Sequence, residues 1–268
     1  MSATQASPAQ SALRAGFDET GYALVRDAFT GADLANIQAE VDGMIDRSLR
    51  AGRHLEAHWG GDWREKIEVE GDKQARSVLS IHRVHEHSAA LGRLLYDPRL
   101  TEPVAELIGP NLQLHHTLMH AKPPRNGAAF PLHQDYDYFP HKLDSMVAAT
   151  LYLDDAGSEN GCLYVMPGSH RRGYLPHVHE GSHHLPVDEY PIESATAVPM
   201  KAGDLLIFSY LTIHGSTPNV SDSWRRMLLF EFRNPLDTYK SEPDSAVGRG
   251  LIVRGVHPNP VPKEGESY

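Results

Sequence analysis

Cysteine is almost absent from this chain, which has one cysteine, Cys162, among its 268 residues. A single cysteine forms no internal disulfide and cannot build a cysteine-based zinc site. The sequence also has no long uninterrupted apolar run, and its first residues lack a basic segment followed by an apolar one. Membrane spans and secretory signals need these patterns, so we expect a cytoplasmic protein with no membrane partner.

Basic residues are also in short supply, since 25 Lys and Arg oppose 35 Asp and Glu and give a formal net charge of -10. Affinity for nucleic acid comes mainly from basic side chains that neutralise phosphates, so we expect no nucleic-acid partner. A local basic pocket can still bind a small anion. Histidine, by contrast, is abundant at 17 residues, and a few of these histidines are candidates for a functional site.

The chain divides simply by composition. Residues 1–12 are small and polar and predict a flexible tail, and residues 13–268 have a length that suits one domain. Two polar segments, 51–76 and 176–186, predict surface loops and are candidates for a lid. The second contains the histidine-rich run PHVHEGSHH, whose loop setting favours an exposed segment near the mouth of a cavity over a second metal site.

The regular patterns change from helical to extended along the chain. Apolar residues at helical spacing predict helices over 34–49, 88–96 and 102–108. After Gly109, short apolar segments alternate with Gly, Pro, Asn and Asp turns, which is typical of a sandwich or barrel of antiparallel strands. The sequence therefore predicts a β core over about 112–235, with the preceding helices packed on one face.

Three short segments carry side chains that suit a metal centre. His133 and Asp135 are two residues apart in FPLHQDYDYFP, and along a strand such residues point to the same face. His214 ends the apolar segment DLLIFSYLTIH, and Arg225 lies near the start of the next strand. Two histidines and a carboxylate suit non-haem Fe(II), and an arginine fork suits the carboxylate of a cosubstrate such as 2-oxoglutarate.

With these motifs, the segment from Leu114 to Pro235 resembles the phytanoyl-CoA dioxygenase family of Fe(II)/2-oxoglutarate oxygenases. The matching segments are KPP, PLHQDYDYFP, NGCLYVMPGSH and KAGDLLIFSYLTIHGS, followed by Arg225. Together they cover nearly half of the chain and are specific in combination. The resemblance implies a mainly β fold with flanking α-helices, in which N-terminal helices brace a double-stranded β-helix, or jelly-roll, that contains the site.

The resemblance also implies a role for each matching position. The family's iron ligands match His133, Asp135 and His214. The family's cosubstrate contacts match Arg225, Ser216, Thr150 and Leu118. The implied cofactor and cosubstrates are Fe(II), 2-oxoglutarate and O2, and the implied reaction hydroxylates an aliphatic C–H with release of succinate and CO2. Related halogenases have a small residue in place of the iron-binding carboxylate, so Asp135 favours hydroxylation or another oxidation such as desaturation or ring closure.

Candidates for substrate contact surround the motif residues. They are His120, Lys122, Tyr136, Asp137, Tyr138 and Trp224. His120 and Lys122 share one face of the strand before the His-x-Asp motif. The adjacent His115 and His116 are predicted to point to opposite faces of that strand, so that at most one of them faces the cavity.

Two interpretations from other classes stay open in the sequence. A cupin-type metalloenzyme would share the jelly-roll and a histidine-rich site, but it would not use 2-oxoglutarate and would not need Arg225. A non-catalytic jelly-roll module would keep the fold and bind a ligand without turnover. The acidic chain shows no basic patch for the phosphates of CoA, which favours a small metabolite as substrate, and nothing in the sequence indicates the oligomeric state.

Overall fold

The computed structural model describes residues 8–52, 55–57, 78–240 and 250–258. Most of the candidate lid over residues 51–76 therefore lies outside the described residues. Within the described ranges, no helix is both long enough and apolar enough to cross a membrane.

Five helices lie in the described part of the chain. They are α1 (Pro8–Thr20), α2 (Gly31–Arg50), α3 (Val84–His87), α4 (Ala89–Leu94) and α5 (Pro98–Ile108). Helix α1 includes residues 8–12, which the sequence analysis assigned to a flexible tail. Residues 1–7 of that predicted tail lie outside the described residues. Helix α5 starts at Pro98, earlier than the predicted 102–108, since proline at the first helical position loses no intrahelical bond. Asp97 caps the helix by accepting from Arg99 N at 2.9 Å.

Twelve described strands form two antiparallel sheets. They are β1 (Tyr22–Val25), β2 (Glu56–Ala57), β3 (Val78–His82), β4 (Leu112–Lys122), β5 (Phe130–His133), β6 (Val147–Tyr152), β7 (Leu163–Val165), β8 (Thr196–Val198), β9 (Leu205–Ser209), β10 (His214–Ser216), β11 (Arg225–Arg233) and β12 (Ile252–Arg254). The larger sheet has the order β1-β9-β6-β11-β4-β3-β2, with β12 also paired to β4, and the smaller has the order β5-β10-β7-β8.

Alternation along the strands of the larger sheet separates two cores. On β11, Leu228, Phe230 and Phe232 pack with the helices, whereas Met227 and Leu229 pack between the two sheets. Successive strand residues point to opposite faces, so one strand serves both cores. The described architecture confirms the predicted mainly β fold, in which helices cover the outer face of a double antiparallel sheet.

Candidate metal centre

The two histidines of the predicted triad lie side by side in the smaller sheet. His133 ends β5 and His214 begins β10, and their Cα atoms are register partners in the antiparallel ladder. Asp135 completes the group, with its Oδ1 at 3.5 Å from His133 Nε2 and at 3.6 Å from His214 Nε2. The three ligand atoms lie within 4.8 Å of one another, a spacing at which one metal ion can bind all three.

Asp135 reaches this position by a route that differs in detail from the prediction. Strand β5 ends at His133, and Asp135 begins a 3-10 turn instead of continuing the strand. The intervening Gln134 is extended, with φ -119° and ψ 133°, so the alternation of side chains continues for one more residue. The buried Gln134 side chain points the other way and donates to the carbonyls of Gly173 at 2.9 Å and Leu211 at 2.7 Å.

Hydrogen bonds to the backbone fix which imidazole nitrogen of each histidine faces the metal position. His133 Nδ1 lies 2.9 Å from Pro131 O, and His214 Nδ1 lies 2.9 Å from Thr212 O. A carbonyl oxygen only accepts, so each Nδ1 carries the proton and each Nε2 keeps its lone pair for a metal.

The protonation states also suit a divalent cation. Burial lowers the pKa of His214 to about 4, which keeps this imidazole neutral and able to coordinate. For Asp135, burial acts to raise the pKa, but the neighbouring His214 and His133 outweigh it and hold the pKa below its ordinary value. Two neutral imidazoles and a carboxylate are the donor set that Fe(II) takes in non-haem oxygenases.

Arg225 is a buried cation whose guanidinium nitrogens have no hydrogen-bond partner in the described part of the chain. Its side chain has no exposed surface, and Nε, Nη1 and Nη2 make no hydrogen bond to the described residues. Burial lowers the pKa of Arg225, because the charged form loses its hydration. A second buried cation, Lys122, is its register partner on β4. Unpaired buried charge is costly, so this end of the larger sheet fits a bound carboxylate such as that of 2-oxoglutarate.

Ser216 adds a hydroxyl group to this anion site, and Thr150 carries another one further along the same face of the larger sheet. Ser216 Oγ accepts a hydrogen bond from Lys122 Nζ at 2.7 Å, and Lys122 also donates to Thr217 O at 2.6 Å. The Ser216 hydroxyl can still donate its own hydrogen to a ligand. Thr150 is fully buried and its Oγ1 has no hydrogen-bond partner, and it is the register partner of Leu229, on the face of β11 that carries Arg225.

The triad opens on a cavity of about 230 Å³ between the two sheets. Its wall is largely apolar, with Leu118, Phe130, Leu163, Phe208, Met227 and Leu229. Leu118, His120, Tyr138 and Ser216 of the predicted site residues also line it. The histidine-rich loop reaches the cavity as well, because His183 lines it and stacks on Tyr138 with ring centroids 4.3 Å apart.

Four predicted substrate contacts lie away from the cavity wall. Lys122 is buried behind Ser216, and Trp224 is 40% exposed. Tyr136 packs against the rings of Tyr174 and Tyr210. Asp137 accepts a hydrogen bond from Tyr174 Oη at 2.7 Å, and its Oδ2 lies 2.8 Å from His179 Nε2 and 2.7 Å from His183 Nδ1. These four residues therefore do not line the cavity in which substrate contact was predicted.

The prediction that His115 and His116 point to opposite faces is wrong, although only His116 of the two lines the cavity, as predicted. In the pairing of β4 with β11, Glu231 faces His116, whereas the next residue, Phe232, faces Leu114. His115 is therefore the extra residue of a β-bulge. A bulge breaks the alternation, and both imidazoles turn towards Glu231 Oε2, at 3.3 Å and 3.2 Å from their Nδ1 atoms.

Glu231 is a charged cavity residue that the sequence reasoning missed. It lines the wall, is 4% exposed, and lies six positions after Arg225 on β11. Its even spacing from Arg225 along one strand was the available signal, because residues two apart share a face.

Comparison with known proteins supports the same chemistry. The family model for phytanoyl-CoA dioxygenase (PhyH) matches residues 17–227. An ectoine dioxygenase of Bordetella parapertussis is 26% identical over 249 residues, covering 85% of this chain and 76% of that protein. The peroxisomal phytanoyl-CoA dioxygenase of Homo sapiens is 26% identical over 229 residues, covering 81% of this chain and 66% of that protein.

A solved structure extends the likeness to the fold. It is the epimerase SnoN in complex with Fe3+, alpha ketoglutarate and nogalamycin RO, with a TM-score of 0.69 and 20% identity, covering 88% of this chain and 87% of that one. The family match decides against the cupin-type and non-catalytic interpretations. Because the family model covers most of the sequence, the chain belongs to the phytanoyl-CoA dioxygenase (PhyH) family and is a 2-oxoglutarate-dependent non-haem iron dioxygenase.

Proposed function

We propose that this dioxygenase hydroxylates an aliphatic C–H of a small metabolite, with release of succinate and CO2. The observation that carries the proposal is the position of the two-histidine, one-carboxylate group on the wall of a small, largely apolar cavity. At this position an apolar part of a substrate can lie against the metal while its polar groups contact the remaining wall.

In this proposal, separate sets of residues bind the iron and the cosubstrate. His133, Asp135 and His214 hold the iron through Nε2, a carboxylate oxygen and Nε2. Bound Fe(II) with 2-oxoglutarate and O2 supplies the oxidant that removes a hydrogen atom from the substrate and returns a hydroxyl group. Arg225 would donate its planar pair of N–H groups to the far carboxylate of 2-oxoglutarate, and Ser216 would donate its hydroxyl hydrogen to the same carboxylate. Thr150 would contact another part of the cosubstrate.

Lys122 has a positioning role in this scheme. Its Nζ holds Ser216 Oγ at 2.7 Å and leaves the serine hydrogen to point at the cosubstrate. The two buried cations, Lys122 and Arg225, also lie opposite each other in register, where like charges repel. A bound dicarboxylate relieves that repulsion, so cosubstrate binding and local stability are coupled.

The lining of the cavity favours a small substrate. None of its described lining residues is a Lys or Arg, so the described wall offers no site for the phosphates of an acyl-CoA. Phe130, Phe208 and Leu229 provide apolar surface that excludes water from the metal position. Exclusion of water limits oxidation events that do not reach the substrate.

Anaerobic titration of the metal-free protein with Fe(II) and 2-oxoglutarate tests the cofactor assignment. We expect a weak visible charge-transfer band that is absent in Arg225→Ala and His214→Ala. The exposed Arg93→Ala is the matched control and keeps the band.

Admission of O2 with a panel of small metabolites should then give succinate and a product heavier by one oxygen atom in mass spectrometry. A wild-type protein that binds iron normally but shows no band would contradict the proposal.

A further inference from the structure

Glu231 lies on the wall of the catalytic cavity, and among the described residues it forms no ion pair with a Lys or Arg. Arg225, Met227, Leu229 and Glu231 follow each other at two-residue spacing on β11 and share its inner face. At about 3.3 Å per residue, the Arg225 and Glu231 backbones are about 20 Å apart. One strand therefore carries a cation for the cosubstrate at one end and a carboxyl group at the other.

The bulge on β4 fixes one oxygen of that carboxyl group. His115 Nδ1 and His116 Nδ1 lie 2.8 Å from each other and flank Glu231 Oε2. Although these contacts are close, Oε2 is buried and makes no hydrogen bond of regular geometry. Two imidazoles thus lie against one oxygen of the carboxyl group, while Glu231 forms part of the cavity wall.

The described wall has no Lys or Arg near Glu231. Burial lowers the pKa values of His116 and His120, so these two imidazoles are neutral at neutral pH. Burial also raises the pKa of Glu231 to about 8, as expected for a carboxyl group that lacks a cationic partner. The buried cations Arg225 and Lys122 lie at the opposite end of their strands.

We propose that Glu231 binds a protonated amine of the substrate, which makes small aliphatic or alicyclic amines the substrate class. This inference rests on the proposed function, since it assigns the polar end of a substrate whose apolar part lies at the metal. Without a partner, Glu231 holds a proton at neutral pH. An incoming ammonium group displaces this proton to solvent and forms a buried ion pair, in which each charge removes the cost of burying the other.

Three probes with the same ring test the proposal: cyclohexylamine, cyclohexanol and cyclohexanecarboxylate. Each is titrated anaerobically by calorimetry into the enzyme loaded with Fe(II) and 2-oxoglutarate, while the visible band is recorded. We expect the amine to bind at least tenfold more tightly than the alcohol, and the carboxylate most weakly. In Glu231→Gln, which keeps the shape of the side chain, the amine should lose at least tenfold in affinity and the alcohol should not change.

The exposed Glu189→Gln is the matched control and should bind the amine as the wild type does. Equal affinity for amine and alcohol in the wild type, no binding of the amine, or full amine affinity in Glu231→Gln would overturn the inference. If Glu231→Gln fails to fold, the order of the three probes in the wild type decides. A missing visible band with Glu231-dependent amine binding would contradict the proposed function and leave this inference standing.

Discussion

At the scale of single residues, the candidate metal centre depends on hydrogen bonds that leave specific atoms free. Pro131 O and Thr212 O hold the Nδ1 atoms of the two histidines, so both Nε2 atoms face Asp135. Arg225 is the reverse case, because its donors have no described partner. Iron and 2-oxoglutarate would complete both sets of contacts.

Asp135→Ala tests the carboxylate ligand. We expect product formation to fall at least a hundredfold, because the two histidines alone bind Fe(II) weakly and leave an extra open position. Mass spectrometry of the product and iron content after gel filtration would check this. Asp188→Ala, at an exposed position, is the control. Near-normal turnover by Asp135→Ala would remove Asp135 from the ligand set.

His120→Gln tests the protonation state of the cavity wall. Burial, with a smaller effect of Arg225, lowers the pKa of His120 to about 3. The unfolded chain therefore binds a proton between pH 6.5 and 3 that the folded protein does not, and stability falls as the pH is lowered through this window. Removing the imidazole should reduce that loss by up to about 2 kcal/mol between pH 6.5 and 5.

Urea unfolding of the metal-free protein at the two pH values measures this effect. The exposed His87→Gln is the control and should follow the wild type. Parallel pH dependence of wild type and His120→Gln would show that His120 is protonated equally in both states.

At the scale of elements, one side chain ties the metal-binding segment to the histidine-rich loop. Gln134 donates to Gly173 O and Leu211 O and accepts from Leu175 N at 2.9 Å. Its own backbone N–H donates to His177 Nε2 at 2.9 Å. Gln134 lies between the two metal ligands of the His-x-Asp motif. It therefore anchors the loop that borders the cavity.

Gln134→Leu should detach that loop. The change leaves buried backbone groups without partners, so we expect the free energy of unfolding to fall by about 3 kcal/mol. Hydrogen exchange of residues 173–177 should rise before global unfolding. Gln38→Leu, which removes one hydrogen bond to Leu153 O on the far side of the sheet, should leave exchange in the loop unchanged. Unaltered exchange in Gln134→Leu would contradict the anchoring role.

Elements also show why the sequence predicted some positions and not others. Period-two spacing and the family motifs were enough to place His133, Asp135 and His214 together. The orientation of His115 depended on a bulge, which is a property of the pairing with β11 and leaves no mark in the sequence of β4. Lys122 shares a face with His120 as predicted, but its Nζ donates to Ser216 Oγ. Ser216, and not Lys122, therefore forms the cavity wall at this point.

At the scale of the whole molecule, ligand binding and folding are linked through the buried charges. Saturation with Fe(II) and 2-oxoglutarate, each at 100 times its dissociation constant, adds about 2.7 kcal/mol to stability for each ligand. For a chain of this size we expect a rise in Tm of roughly 5–10 °C for each ligand in differential scanning fluorimetry under anaerobic conditions.

Arg225→Met should abolish the part of that rise that 2-oxoglutarate contributes. Without ligands, the variant should be at least as stable as the wild type, because it removes a buried charge that lacks a partner. Arg93→Met, at an exposed position, should show the full ligand-dependent rise. A normal response to 2-oxoglutarate in Arg225→Met would place the cosubstrate elsewhere.

The pairing of His133 with His214 in one ladder has a consequence for how such a scaffold diversifies. A one-residue insertion or deletion within β5 turns His133 to the other face, and one within β10 does the same to Ser216, so either change disrupts the site. The loop over residues 176–191 lies outside these strands and tolerates changes in length. We therefore expect proteins that descend from one ancestral gene to differ in substrate through the length of this loop, while the histidine pair stays the same.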